Sequence, residues 1–114
     1  MNQCIFCKII AGQAPAKILF QDDRVTAFRD SHPVAPTHVL VVPNRHITSL
    51  NDVSEAEEPL LGHLLIVARQ IATEEEIDEG GYRLILNTGA HARQSVFHLH
   101  LHVIGGQPVR YPMG

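Results

Sequence analysis

The sequence predicts an α+β fold, a five-stranded antiparallel sheet with one main helix, a short N-terminal helix, and the helices on one face. Three observations carry this expectation. Five short segments are β-branched and apolar, or alternate in polarity with a period of two. A single long run has helical apolar spacing. The order of elements, three strands before that run and two after it, suits an antiparallel sheet.

The elements follow in chain order. Ile5, Phe6, Ile9 and Ile10 recur at helical spacing and stop before Gly12 and Pro15, which predicts one or two turns of helix. Lys17 to Gln21 and Arg24 to Arg29 read as a hairpin joined by Asp22-Asp23. Asp30 to Pro36 is a loop stiffened by Pro33 and Pro36. Thr37 to Pro43 is nearly continuous in apolar character, so the third strand is expected to be buried. Ser54-Glu55-Ala56-Glu57 matches a capping box. The run behind it puts Leu60, Leu61, Leu64, Leu65, Ala68, Ile71 and Ala72 on one stripe. Pro59 sits too deep for a helix capped at Ser54, so either the first turn is separate or the regular helix starts at Pro59. Gly80-Gly81 is the expected end of this element. Tyr82 to Asn87 is the fourth strand, Thr88 to Arg93 a loop, Ser95 to Ile104 the fifth strand, and Gln107 to Gly114 an extended tail.

With 114 residues, the chain is expected to form one domain spanning residues 1–114. A net charge of −3 disfavours a nucleic-acid partner. No apolar run approaches the length of a bilayer span, and no charged-then-apolar leader is expected. Cys4 and Cys7 are too close to staple a fold, and they suit a reducing, cytoplasmic setting.

Phe97-His98-Leu99-His100-Leu101-His102-Val103-Ile104 alternates imidazole with aliphatic side chains. A strand with that pattern turns Leu99, Leu101 and Val103 to the core and the three histidines to the other face, about 7 Å apart at i and i+2. Imidazoles add nothing to packing that Val or Thr would not do better, so the cluster points to acid–base, nucleophilic or metal chemistry. A nucleophilic imidazole needs one nitrogen free and the other held as N–H. His100, flanked on both sides, is the best candidate. His38 could orient a ring on the fifth strand if the third strand lies close. Asn87-Thr88-Gly89 and Gln94-Ser95-Val96 flank one loop and could bind phosphate oxygens. Cys4, Cys7, His46 and His98 form a plausible tetrahedral zinc set, with buried inert thiols as the alternative.

The segment Gln94 to Gly106 resembles the signature of the histidine triad superfamily, and more narrowly the histidine triad nucleotide-binding branch of purine nucleoside phosphoramidases. The resemblance extends over Ile5 to Ile10, Pro15 to Ile18, Asp22 to Arg24, Ala27 to Asp30, Ala35 to His38 and Pro112. It implies a homodimer whose two sheets join into one. It implies His100 as the nucleophile that forms a nucleotidyl-histidine, with His38 orienting His100 and relaying a proton, and His102 bonding the phosphate. His98 belongs to the same catalytic group and also completes the structural zinc site of Cys4, Cys7 and His46. Ser95 and Asn87 would contact phosphate and ribose-side groups, and Asp30 the ribose hydroxyls. Phe6, Ile9, Phe28 and Leu40 would line the base pocket. No cofactor is required for the implied reaction, the cleavage of a nucleoside 5′-phosphoramidate. Three departures from the family pattern are Ser31 beside the base pocket, Arg93 in place of a loop glycine, and Tyr111 where relatives often carry Trp. Alternatives are a non-catalytic purine-nucleotide module, a dinucleoside polyphosphate hydrolase of the same superfamily, and a catalytic metal on the histidine strand.

Overall fold

A computed structural model describes residues 3–114. The chain forms helix α1 (Ile5–Ile10), strands β1 (Ile18–Gln21), β2 (Val25–Arg29) and β3 (Thr37–Pro43), helix α2 (Glu58–Glu74), and strands β4 (Tyr82–Ile85) and β5 (Leu101–Gly105). The sheet order is β1-β2-β3-β5-β4, antiparallel throughout. The predicted sheet and its two helices are therefore present.

Side-chain parity decides what lies on each face. Val25 and Ala27 of β2, Val39 and Val41 of β3, and Leu101 and Val103 of β5 meet Leu64, Val67, Ala68, Ile71 and Ala72 of α2 in the main core. Phe28, Leu40 and Val42 have the opposite parity and pack against Phe6 and Ile9 of α1. The helices thus cover both faces, which corrects the expectation of one. Apolar residues at both parities of β3 are the physical reason, because every residue of that strand is buried.

Local differences have local causes. Asp22, Asp23 and Arg24 all lie in the β1–β2 connection, where Asp22 Oδ1 accepts N–H bonds from Arg24 and Val25. Ser54 caps a separate 3₁₀ turn at Glu55–Glu57, and Pro59 lies in the first turn of α2. On α2, Val67 joins the core and Leu65 is exposed. The helix stops at Glu74, short of Gly80-Gly81. Glu76 takes φ 59°, and the Ile77 N–H returns to the Ala72 carbonyl. This is a Schellman ending with glutamate at the left-handed position, and burial of Ile77 accompanies it. Strand β4 ends at Ile85, before Asn87, and β5 starts only at Leu101. His98 and His100 consequently precede the strand that was expected to carry them.

Candidate active site

Pairing of β3 with β5 sets the site. Leu40 lies opposite His102 and His38 opposite Ile104, so His38 and His102 share a face one step apart. Val34 N–H donates to His38 Nδ1 at 3.1 Å, which leaves the ring proton on Nε2. That Nε2–H lies 2.9 Å from His102 Nδ1 and 3.4 Å from Asp30 Oδ2. His102 Nδ1 is then an acceptor, and its own proton resides on Nε2. His38 therefore orients His102, where the sequence reading had it orient His100.

His100 is held differently. Its Nδ1 lies 2.8 Å from the His98 carbonyl oxygen, which can only accept. Nδ1 carries the proton and Nε2 the free lone pair. The Phe6 ring stands nearly perpendicular to the His100 ring at a centroid distance of 5.2 Å, and His102 lies at 5.0 Å.

Burial favours the neutral forms of His38 and His102. Burial first, then the neighbouring His100 and His38, together push His102 down to about 4, with Asp30 opposing them. Burial also lowers His38, against the pull of Asp30. A neutral His102 keeps Nδ1 as the acceptor for His38 and Nε2–H as a donor at ordinary pH.

His38, His100 and His102 line a cavity of about 810 Å³ on the α1 face, together with Phe6, Ile9, Phe28, Leu40, Asp30 and Ser95. Its apolar lining includes both phenylalanines, Ile9 and Leu40. Beside these side chains it carries imidazoles, a carboxylate and hydroxyls. Asn87 is not among the residues lining this cavity. Gln94 is buried, with Oε1 accepting from Gly89 N–H and Nε2 donating to the Thr48 and Val96 carbonyls. It braces the loop, and so the Gly89 N–H is not free for phosphate. Arg93 takes φ 62°, a left-handed backbone that suits the glycine of the family pattern. The Val34 N–H was invisible in sequence, since any residue except proline supplies one. Ser31 and His32 also line the cavity, joined by a 3.0 Å contact between Ser31 Oγ and His32 Nδ1.

His98 turns away from the cavity. Its buried ring donates from Nε2 to the Pro43 carbonyl at 2.8 Å, so Nδ1 holds a lone pair. Cys4 Sγ lies 3.3 Å and Cys7 Sγ 3.5 Å from that nitrogen, and Cys7 Sγ lies 3.4 Å from His46 Nδ1. All four donor atoms fall within 4.8 Å of one another. In a tetrahedral zinc site the sulfur–nitrogen edge is about 3.6 Å. The donor set fits zinc, and the His98–Pro43 bond is the usual outer partner of a ligating imidazole. A metal there would cross-link α1 to the segments after β3 and before β5.

A small α+β protein that gathers imidazoles beside apolar side chains in one cavity is arranged for histidine chemistry. Residues 3–110 match the family model described as "Scavenger mRNA decapping enzyme C-term binding". The chain belongs to that family, within the histidine triad superfamily. It is 51% identical over 108 residues to the purine nucleoside phosphoramidase of Escherichia coli strain K12, covering 95% of this chain and 91% of that one. A HIT family hydrolase from Legionella pneumophila Philadelphia 1 superposes with TM-score 0.94 at 44% identity, covering 98% of this chain and 100% of that one. A Zn-bound histidine triad family protein from Mycobacterium smegmatis gives TM-score 0.80 at 32% identity, covering 92% and 76%.

Proposed function

We propose that this chain is a purine nucleoside phosphoramidase that works through a nucleotidyl-histidine on His100. The observation that carries the reading is the 2.8 Å bond from His100 Nδ1 to the His98 carbonyl. It presents Nε2 as an unprotonated nucleophile on a ring lining the cavity. Identity to the E. coli phosphoramidase over nearly the whole chain supports the reaction class.

In the first step Nε2 attacks the α-phosphorus, a P–Nε2 bond forms and the P–N bond to the amine breaks. The amine leaves with the bond pair and takes protons from solvent. His102 Nε2–H donates to a nonbridging oxygen, and His38 holds His102 in the donating tautomer. Water then attacks phosphorus, the P–Nε2 bond breaks, and water's protons replace those taken by the amine. Phe6, Ile9, Phe28 and Leu40 receive the base, Asp30 the ribose hydroxyls, and Ser95 the phosphate. The position of Asn87 gives it no wall of this cavity, so its contact would run through the loop. A structural zinc on Cys4, Cys7, His46 and His98 is part of the proposal and takes no part in the bond changes. We further propose a cytoplasmic homodimer that joins sheets through an edge strand. Among the described residues no helix is long and apolar enough to cross a membrane.

His100→Ala tests the reading with adenosine 5′-monophosphoramidate as substrate. Turnover should fall by about 10³-fold or more, the nucleotidyl mass adduct of the wild-type chain should vanish, and AMP binding should persist. Unchanged turnover overturns it.

A further inference from the structure

We infer that Cys4, Cys7 and His46 are positioning residues for the nucleophile, acting through a zinc-type metal shared with His98. The role of His100 in this inference rests on the phosphoramidase reading. The coupling rests on its own distances.

His98 serves two places with two groups. Its ring Nδ1 faces the thiols of Cys4 and Cys7, while its main-chain carbonyl holds His100 Nδ1 at 2.8 Å. Ring and carbonyl belong to one fully buried residue, so whatever fixes the ring fixes the acceptor. A second link runs through α1. Phe6 lies between the two cysteines in sequence, and its ring touches His98, His100 and Phe28 at centroid distances of 5.8, 5.2 and 5.4 Å.

A helix of six residues is marginal by itself. Here Cys4 Sγ also caps it, accepting from Cys7 N–H at 3.4 Å. A metal on these ligands joins three separated chain segments around the carbonyl that selects the His100 tautomer. Without it, the His98 ring keeps the Pro43 bond and only weak thiol contacts at 3.3 and 3.5 Å in place of a metal–nitrogen bond, and the carbonyl gains freedom. His100 then populates the Nε2–H tautomer, which has no lone pair at the attacking nitrogen. The loss falls on kcat. Binding of the product nucleotide, which needs no lone pair on Nε2, is largely spared.

The test uses the full chain with ¹⁵N-labelled histidine in three forms: zinc-loaded, chelator-stripped, and His46→Asn. His46 is the exposed ligand, whose replacement disturbs the core least. Cobalt(II) titration reads the site directly through its d–d and thiolate bands. Long-range ¹H–¹⁵N spectra read the His100 tautomer without any turnover. The expected result is one equivalent of metal and a single Nδ1–H tautomer when loaded. Both metal-poor forms should show mixed tautomers, kcat reduced about 10-fold and an AMP Kd changed by less than about 3-fold. Zinc should restore the stripped wild type. A chain that takes up no cobalt overturns the inference. So does a stripped chain with unaltered tautomer and kcat that has merely a lower Tm. Absence of turnover in all three forms overturns the phosphoramidase reading instead, and the tautomer comparison then decides the coupling alone.

Discussion

Replacing His102 by glutamine should flatten the acid limb of the stability curve. Burial, followed by the neighbouring His100 and His38, holds the His102 ring down to about 4 in the folded chain, against 6.5 for an unburied ring. A depressed imidazole favours the neutral fold, and the unfolded chain binds the proton first as pH drops. The contribution is complete above pH 6.5 and disappears as pH falls through about 4. That interval, at about 1.4 kcal/mol per pH unit, is worth about 3 kcal/mol, a large share of the stability of a small domain. Urea unfolding of wild type and His102→Gln between pH of about 7.5 and 4, at one protein concentration, isolates the effect. His98 is lowered as well, but it titrates in both proteins and cancels in the difference. The His38 titration changes when its partner His102 is lost, so it is followed by NMR in both proteins and subtracted. Wild type should lose about 3 kcal/mol more than the variant over this range. Parallel losses would refute the claim that the fold keeps this ring neutral.

Three further outcomes follow from the packing. Glu75→Gln should cost about 1 kcal/mol at neutral pH in urea unfolding, because both carboxylate oxygens bond the Arg29 guanidinium at 2.9 Å in a half-buried setting. That bond lowers the Glu75 carboxyl, so its contribution is present above about pH 4.5 and lost below it. Glu76→Gly should leave the helix end intact and raise stability by up to about 1 kcal/mol, since only the left-handed strain is removed. Ile71→Ala empties a site in the core between α2 and the sheet and should cost about 2–5 kcal/mol by chemical denaturation.

What the sequence revealed follows from side-chain periodicity, which is a local property. The bounds of α1 and β3 were legible because their apolar pattern is interrupted by Gly12 and Pro15 at one place and by prolines at the other. The cavity walls were legible through family resemblance. The ends of α2 and β5 were not. Glutamate at a left-handed position and an isoleucine buried beyond it stop α2 without the expected glycine. Partner choice among the histidines was hidden as well, because it depends on register. Leu40 opposite His102 puts His38 beside that ring, and a different stagger would have chosen another. Main-chain donors such as the Val34 N–H leave no trace in residue identity.

The early end of the β5 ladder is what gives the triad its three separate jobs. Pro43 closes β3 and has no N–H to donate, so the ladder cannot continue toward His98 in the usual way. Two groups are thereby released from pairing with β3, the Pro43 carbonyl and the Leu99 N–H, and the end of β4 at Ile85 leaves the His98 carbonyl without a ladder partner on the other side. The Pro43 carbonyl accepts from His98 Nε2, the Leu99 N–H finds the Ile47 carbonyl at 2.7 Å, and the His98 carbonyl accepts from His100 Nδ1. Alternation still directs Leu99 to the core and the imidazoles away from it. Had the strand run unbroken from Ser95, the His98 carbonyl could have been committed to a neighbouring N–H, and nothing would have selected the tautomer of His100. His102, inside the ladder, takes its orientation from His38 across the sheet instead. One alternating sequence thus yields a ring facing two thiols, a ring with a free lone pair and a ring with a free N–H, and the backbone break before Leu101 separates the first two from the third.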